Sequence, residues 1–190
     1  MIIDQQKCIK CKMCQPLCPF GKHENTTLKH MGRGTEEVKT NDVTGIVNTM
    51  DRVAVAIEMG RPGIGASFKD IEKLTKVVSK HDIKYELNNP LSAFIIDKKT
   101  GVIDPTLMNE KILSGIIEFS IDVKNLEKLL KDVKEESYYV DTVFSVCIIS
   151  KVDNQNKTYI EDLLISEGYN IKAASSKTNL GLGRPLYQSK

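Results

Sequence analysis

The sequence predicts an α+β protein: a short cysteine-rich head at the N-terminus, then an α/β sandwich in which a sheet is covered on one face by helices. Three observations carry this prediction. Four of the five cysteines fall between residues 8 and 18. Residues 20–50 are polar and punctuated by glycine, without a sustained period. From about Arg52 onward, apolar runs of strand length alternate with segments of helical spacing. The 190 residues therefore divide into a head, 1–34, a connector, 35–50, and a body, 51–190, long enough to bury a core.

Within the body, Arg52 to Glu58 reads as a strand and Gly60-Arg-Pro-Gly-Ile-Gly65 as a turn. Ser67 then caps a helix whose Phe68, Ile71, Leu74, Val77 and Val78 recur at helical spacing, and Asp70 completes a start like a capping box. After Asn88-Asn-Pro90 a hairpin is expected: Leu91 to Asp97, the turn Lys98-Lys-Thr-Gly101, and Val102 to Asp104. Pro105 can open a short helix through Leu113. Ile116 to Ile121 reads as a strand, and Leu126, Leu129, Leu130 and Val133 line a helix face. Tyr139 to Ile149 reads as a long buried strand. Ile160, Leu163 and Leu164 mark a helix ending at Gly168, and Ile171 to Ala174 a last short strand. This order is expected to pack as a ferredoxin-like βαββαβ sandwich, once or as a duplicated unit.

The chemistry lies in Cys8-Ile-Lys-Cys11-Lys-Met-Cys14-Gln-Pro-Leu-Cys18-Pro19. Three thiolates with two residues between neighbours let an amide-rich loop wrap one corner of a cubane cluster, its N–H groups pointing at sulfide. Lys7, Lys10, Lys12 and Lys22 set cations around that anionic site, against Asp4 and Glu24 in the same stretch. Pro19 donates no hydrogen bond and fixes the direction in which the chain leaves the loop. A structural zinc site would place two C-x2-C pairs a dozen or more residues apart, whereas Lys12 and Met13 alone separate Cys11 from Cys14. No cysteine precedes a histidine as c-type haem attachment requires, and Gly21 stands where a C-x3-C-x2-C run would need its third cysteine. Disulfides need an oxidising compartment. No signal-peptide pattern is seen near the N-terminus, so a cytoplasmic location is expected.

The run resembles that of bacterial-type ferredoxins, which ligate a 4Fe-4S cluster with three such cysteines while the fourth reaches a second cluster. The resemblance implies Cys8, Cys11, Cys14 and Cys18 as metal and cofactor ligands of an iron-sulfur cluster, most simply one 4Fe-4S cube. It covers residues 8–19, and the run occurs once. The fourth ligand is then open. Cys18 can close the cube locally, or it can serve a larger or shared cluster completed by His23, His30 or a partner subunit. Cys147, within Val143-Phe-Ser-Val-Cys-Ile-Ile149, reads as a buried small hydrophobe. The distal cysteine of single-cluster ferredoxins is followed by proline, and here Ile148 follows.

The body shows little catalytic equipment. Neither Gly60–Gly65 nor Gly181-Leu-Gly-Arg-Pro185 matches a dinucleotide fingerprint or a phosphate loop, and both read as turns. His81, at a helix end, reads as structural. The formal net charge of +2 gives no case for a nucleic-acid or membrane partner, and no apolar stretch has membrane-spanning length. The head is basic, and after Glu167 the tail carries Lys172, Lys177, Arg184 and Lys190 with no acid. These patches suit an acidic partner protein. A head this short cannot bury a cluster alone, so other subunits of a redox complex are expected to shield it. Three classes stay open: a non-catalytic electron-transfer or cluster-bearing accessory subunit, an iron-sulfur enzyme subunit, and an interaction module held by a non-redox metal.

Lysine outnumbers arginine 23 to 4, a composition similar to that of AT-rich anaerobes such as methanococcal archaea. With its short N-terminal cluster run ahead of an α+β body, the chain resembles the archaeal methanogenesis marker proteins, and within them the seventeenth of the series. That resemblance implies a cytoplasmic complex for the ATP-dependent reductive activation of methyl-coenzyme M reductase. Its implied partners are the reductase and its activation proteins, including an ATPase.

Overall fold

The computed structural model describes residues 51–60, 64–87, 89–151, 155 and 158–169. Strand β1, Arg52–Met59, alternates strictly: Val53, Val55, Ile57 and Met59 enter the core, while Ala54, Ala56 and Glu58 point to the other face. Strand β7, Gly115–Asp122, lies antiparallel beside it, from Arg52 opposite Asp122 to Met59 opposite Gly115. Its Ile117, Phe119 and Ile121 share the core face. Arg52 pairs with Asp122 at the end of the ladder and donates to the Ser120 hydroxyl at 2.9 Å, which fixes the register where the chain enters the sheet. The short strand β3, Ile83–Tyr85, pairs with β7, and β8, Phe144–Ile149, pairs with β1, both antiparallel. The sheet order is β3-β7-β1-β8.

Helix α1, Phe68–Val78, joins β1 to β3, and α2, Val123–Glu136, joins β7 to β8. A third helix, α3, Tyr159–Ser166, follows β8. The buried side chains of all three, from Phe68, Ile71 and Leu74 through Leu126 and Leu129 to Ile160, belong to one cluster with Val53, Val55, Ile57 and Phe119. The described helices thus line a single face of the sheet. Edge-to-face contacts of Phe68 with Phe94, at 5.7 Å between ring centres, and of Tyr85 with Phe119 help to close it. Burial pushes the Tyr85 phenol up to about 12, and its oxygen lies 2.7 Å from the Ser79 hydroxyl.

The start of α1 follows from its first residues. The Ser67 hydroxyl accepts the Asp70 N–H at 3.1 Å and donates to the Asp70 carboxylate at 2.6 Å. Asp70 also receives Lys73 and the Asp141 N–H, tying this helix to the chain that leads into β8. Burial pushes the Asp70 carboxyl up, but the hydrogen bonds from Lys73, Ser67 and Asp141 outweigh it and hold the group below its ordinary value. Its stabilisation is present above the ordinary carboxylate pKa and is lost as the pH falls through the lowered folded value. Ser67→Ala is expected to cost about 1 kcal/mol, read as a lower urea midpoint at unchanged slope.

Four expectations change in the structure. Leu91 does not begin a strand: Asn89 caps the Leu91 N–H at 2.8 Å and Pro90 presets the first residue, so Pro90–Phe94 forms a 3₁₀ turn before strand β4, Ile95–Asp97, pairs with β5, Val102–Ile103. The segment opened by Pro105 stops after one 3₁₀ turn, Pro105–Leu107. The chain then forms β6, Lys111–Ile112, against β2, Ala66–Ser67. The long buried strand from Tyr139 shrinks to β8 after a 3₁₀ turn at Ser137–Tyr139. Among the described residues, strand β8 lies at the edge of the sheet, and it is half-exposed. A continuous apolar run reads as a central strand, yet here alternate side chains reach solvent. Strand β3 was absent from the expectation, because Ile83-Lys-Tyr85 is too short to show a period.

Candidate metal centre

The chain reaches the described body at Asp51, so Cys8, Cys11, Cys14 and Cys18 lie outside the described residues, as do Lys7, Lys10, Lys12, Lys22, His23, His30 and the connector. The strand expected at Ile171 to Ala174 and the glycines from Gly181 to Pro185 lie outside them too. Among the described residues, no three His, Cys, Asp or Glu side chains are grouped to hold a metal ion. None of their helices is long and apolar enough to cross a membrane.

The remaining candidates of the body are placed by their strands and helices. Cys147 is not a buried hydrophobe: it is exposed, opposite Ala56 on β1, because β8, at the edge of the described sheet, turns every second side chain away from the described helices. Burial of its inner side pushes the thiol above its ordinary value, and the Glu58 carboxylate adds to the shift. A thiol held protonated is a weak nucleophile and a weak ligand. Alkylation of Cys147 by iodoacetamide at neutral pH is therefore expected to be slower than that of a free thiol. Glu58→Gln should move its pH midpoint downward, as followed by mass spectrometry of the Cys147 peptide.

His81 lies after α1 with its Nε2 2.9 Å from the Asp132 carboxylate, and its side chain is buried, so it ties the end of α1 to α2. Gly60 and Gly65 close their loop with φ of +81° and +82°. The Gly60 carbonyl accepts the N–H groups of Ile64 and Gly65, and a Cβ on Gly60 would lie 2.6 Å from the Gly65 carbonyl carbon. The Thr142 hydroxyl donates to the Gly65 carbonyl at 2.6 Å, and the Gly60 N–H donates to Val143. The described ends of this loop are engaged in holding the approach to β8.

A polar feature that the sequence reading passed over occupies the sheet face opposite the helices. Glu118 on β7 is 1% exposed and accepts the Asn89 side-chain amide at 2.5 Å. Glu86 extends the ladder beyond β3, donating its N–H to the Glu118 carbonyl at 2.9 Å, and is 5% exposed. Glu58 on β1 shares this face, as does Ser120. The signal was present in Gly-Ile-Ile-Glu-Phe-Ser-Ile-Asp, where Glu118 and Ser120 fall in phase with each other and out of phase with Ile117, Phe119 and Ile121.

Residues 1–21 match the 4Fe-4S binding domain family. The match takes in all four cysteines of the run and Pro19, and spans 21 of the 190 residues. It identifies an iron-sulfur, metal-binding segment of the ferredoxin type and supports an electron-transfer role in general. No curated protein and no solved structure matches the chain.

Proposed function

We propose that the chain is an electron-transfer or cluster-bearing accessory subunit of a multiprotein redox complex. The observation that carries this reading is the single run Cys8, Cys11, Cys14, Cys18-Pro19 inside the 4Fe-4S binding match. Four thiols within eleven residues form a donor set suited to iron and sulfide, and these four residues would hold one 4Fe-4S cluster. When bound, such a cluster supplies one-electron transfer. The chain's own task is to give the thiolates, keep water away and set positive charge nearby through Lys7, Lys10, Lys12 and Lys22. Sheet order β3-β7-β1-β8 with α1 and α2 on one face supports the ferredoxin-like βαββαβ reading of the body. Shared layout and lysine-rich composition support a place beside methyl-coenzyme M reductase and its ATP-dependent activation proteins in a methanogen.

The test is anaerobic purification from native extract. About four irons and matching sulfide per chain, visible absorbance bleached reversibly by dithionite, and an EPR signal on reduction are the expected result. Zinc without sulfide would overturn the redox reading. Elution of the native protein solely as a monomer on gel filtration would remove the complex.

A further inference from the structure

We propose that strand β8 is a dimerisation edge, pairing antiparallel with β8 of a second copy of this chain about a two-fold axis at Val146. The inference stands apart from the iron-sulfur reading.

The two edges of the described sheet differ. Strand β3 is three residues long and carries exposed Lys84 at its centre, a short and charged edge that discourages pairing. Strand β8 is six residues long, Phe-Ser-Val-Cys-Ile-Ile, and has no charge, proline or glycine to blunt it. The ladder fixes which of its backbone groups face outward. The Gly60 N–H donates to the Val143 carbonyl at 2.9 Å, one step beyond the pair of Met59 with Phe144. Hydrogen-bonded pairs alternate along an antiparallel ladder, so Ser145, Cys147 and Ile149 turn their backbone groups toward β1. Phe144, Val146 and Ile148 turn theirs to the other side, where no strand meets them among the described residues.

The residues around this edge are complementary to themselves. With the axis at Val146, Val146 faces its own copy and Phe144 faces Ile148 of the second copy, so all three outward residues enter hydrogen-bonded pairs. Moving the axis one residue either way sets one of them against Thr142 or Ser150, outside the strand. The side chains agree with the central register. Phe144, Val146 and Ile148, partly buried against the helix-side core, meet one another across the axis. On the other face Val143, 42% exposed, meets Ile149, and exposed Ser145 meets exposed Cys147. Asp141 and Lys151 stand at equal distances from Val146 along the chain, both exposed and opposite in sign. The register therefore sets Asp141 of each copy against Lys151 of the other, and no like charges oppose each other between residues 141 and 151. An ammonium has three donors, so Lys151 can take this carboxylate alongside its other contacts. The sheet β3-β7-β1-β8 continues through the axis into the second copy, with the described helices of both on one face.

The test uses the full chain, purified anaerobically, and sedimentation velocity over a range of concentrations. A species with the mass of two chains is expected. Non-hydrogen-bonded positions across such a ladder bring Cα atoms to about 4.5 Å, within disulfide reach. Ser145→Cys, oxidised with diamide, should therefore link its introduced thiol to Cys147 of the second copy, seen by mass spectrometry as two joined tryptic peptides 135–151. The unaltered chain should give no such product, because its two Cys147 residues are offset along the strands and stand about 8 Å apart. Asp141→Lys and Lys151→Asp, at exposed positions, each set like charges together at both ends of the ladder and should weaken self-association about tenfold. Mixed, the two variants should form a heterodimer of the original strength, resolved by native mass spectrometry. A chain that stays monomeric at every concentration assigns the edge to its own remaining residues or to another protein, and overturns the inference. So does a dimer whose strength neither charge variant changes, one that yields no joined peptides from Ser145→Cys, or one that links Cys147 to Cys147 in the unaltered chain.

Discussion

Cys11→Ser is expected to strip the chain of nearly all its iron and sulfide while leaving the body folded. The serine hydroxyl stays protonated at neutral pH and is a hard, weak donor to iron, so one corner of the cluster loses its anchor. Cys11 stands second in the run, with a cysteine three positions away on each side, and no spare thiol lies between Cys8 and Cys18. The described core, from Val53 to Ile160, is built without any residue of the run. Far-UV circular dichroism and the urea midpoint of the body should therefore change little. Metal content should collapse, as measured by iron and acid-labile sulfide per chain. Cys147→Ser is the control: an exposed thiol held protonated on β8 should be dispensable for iron. Cys18→Ser separates the two arrangements open for the fourth ligand. Complete loss means a cube closed within the run, and partial retention with altered EPR means a ligand from elsewhere.

Much of the body was legible because local signals and tertiary packing agree there. Arg52 to Met59 and Ile116 to Ile121 alternate with period two, and both are strands with their larger apolar side chains inward. Ser67 and Asp70 announce α1, and the structure uses both in its cap. Legibility fails where a decision rests on distant partners. Nothing local tells Val143 to Ile149 that β1 is its one strand neighbour among the described residues, so a run that looks central becomes an exposed edge and Cys147 comes with it. The turn after Pro105 looks helical until β2 claims Lys111 and Ile112. Of the candidate site, the cysteine spacing carries the chemistry in sequence alone, since ligand identity is local. The acidic second face is spread over β1, β7 and the residue after β3, and is assembled by register alone.

Gly101→Ala should be among the most damaging single-methyl changes in the body, costing about 3 kcal/mol. Gly101 closes the turn Lys98-Lys-Thr-Gly101 with φ of +75°, its N–H donating to the Asp97 carbonyl at 2.8 Å. Asp97 also accepts the Lys99 N–H and the Thr100 hydroxyl, so the turn is held in one conformation. A left-handed backbone costs an alanine about 1–2 kcal/mol. The larger conflict is steric. A Cβ here would stand 2.2 Å from the carbonyl oxygen of Thr75 in α1 and 2.6 Å from the Lys76 nitrogen. Those are backbone atoms inside a hydrogen-bonded helix and cannot turn aside as a side chain can. The hairpin must lift off α1 instead, which breaks the 2.6 Å bond from the buried Thr75 hydroxyl to the Gly101 carbonyl and adds about 1–3 kcal/mol of overpacking. At a urea slope of 1–3 kcal/mol per molar, the midpoint should fall by about 1–3 M. Gly168→Ala supplies the comparison: φ is +78° there as well, but nothing lies within 4 Å of the added methyl. That change should cost about 1–2 kcal/mol from the backbone term alone. Equal losses at the two sites would show that the left-handed conformation, and not the approach of the hairpin to α1, sets the cost at Gly101.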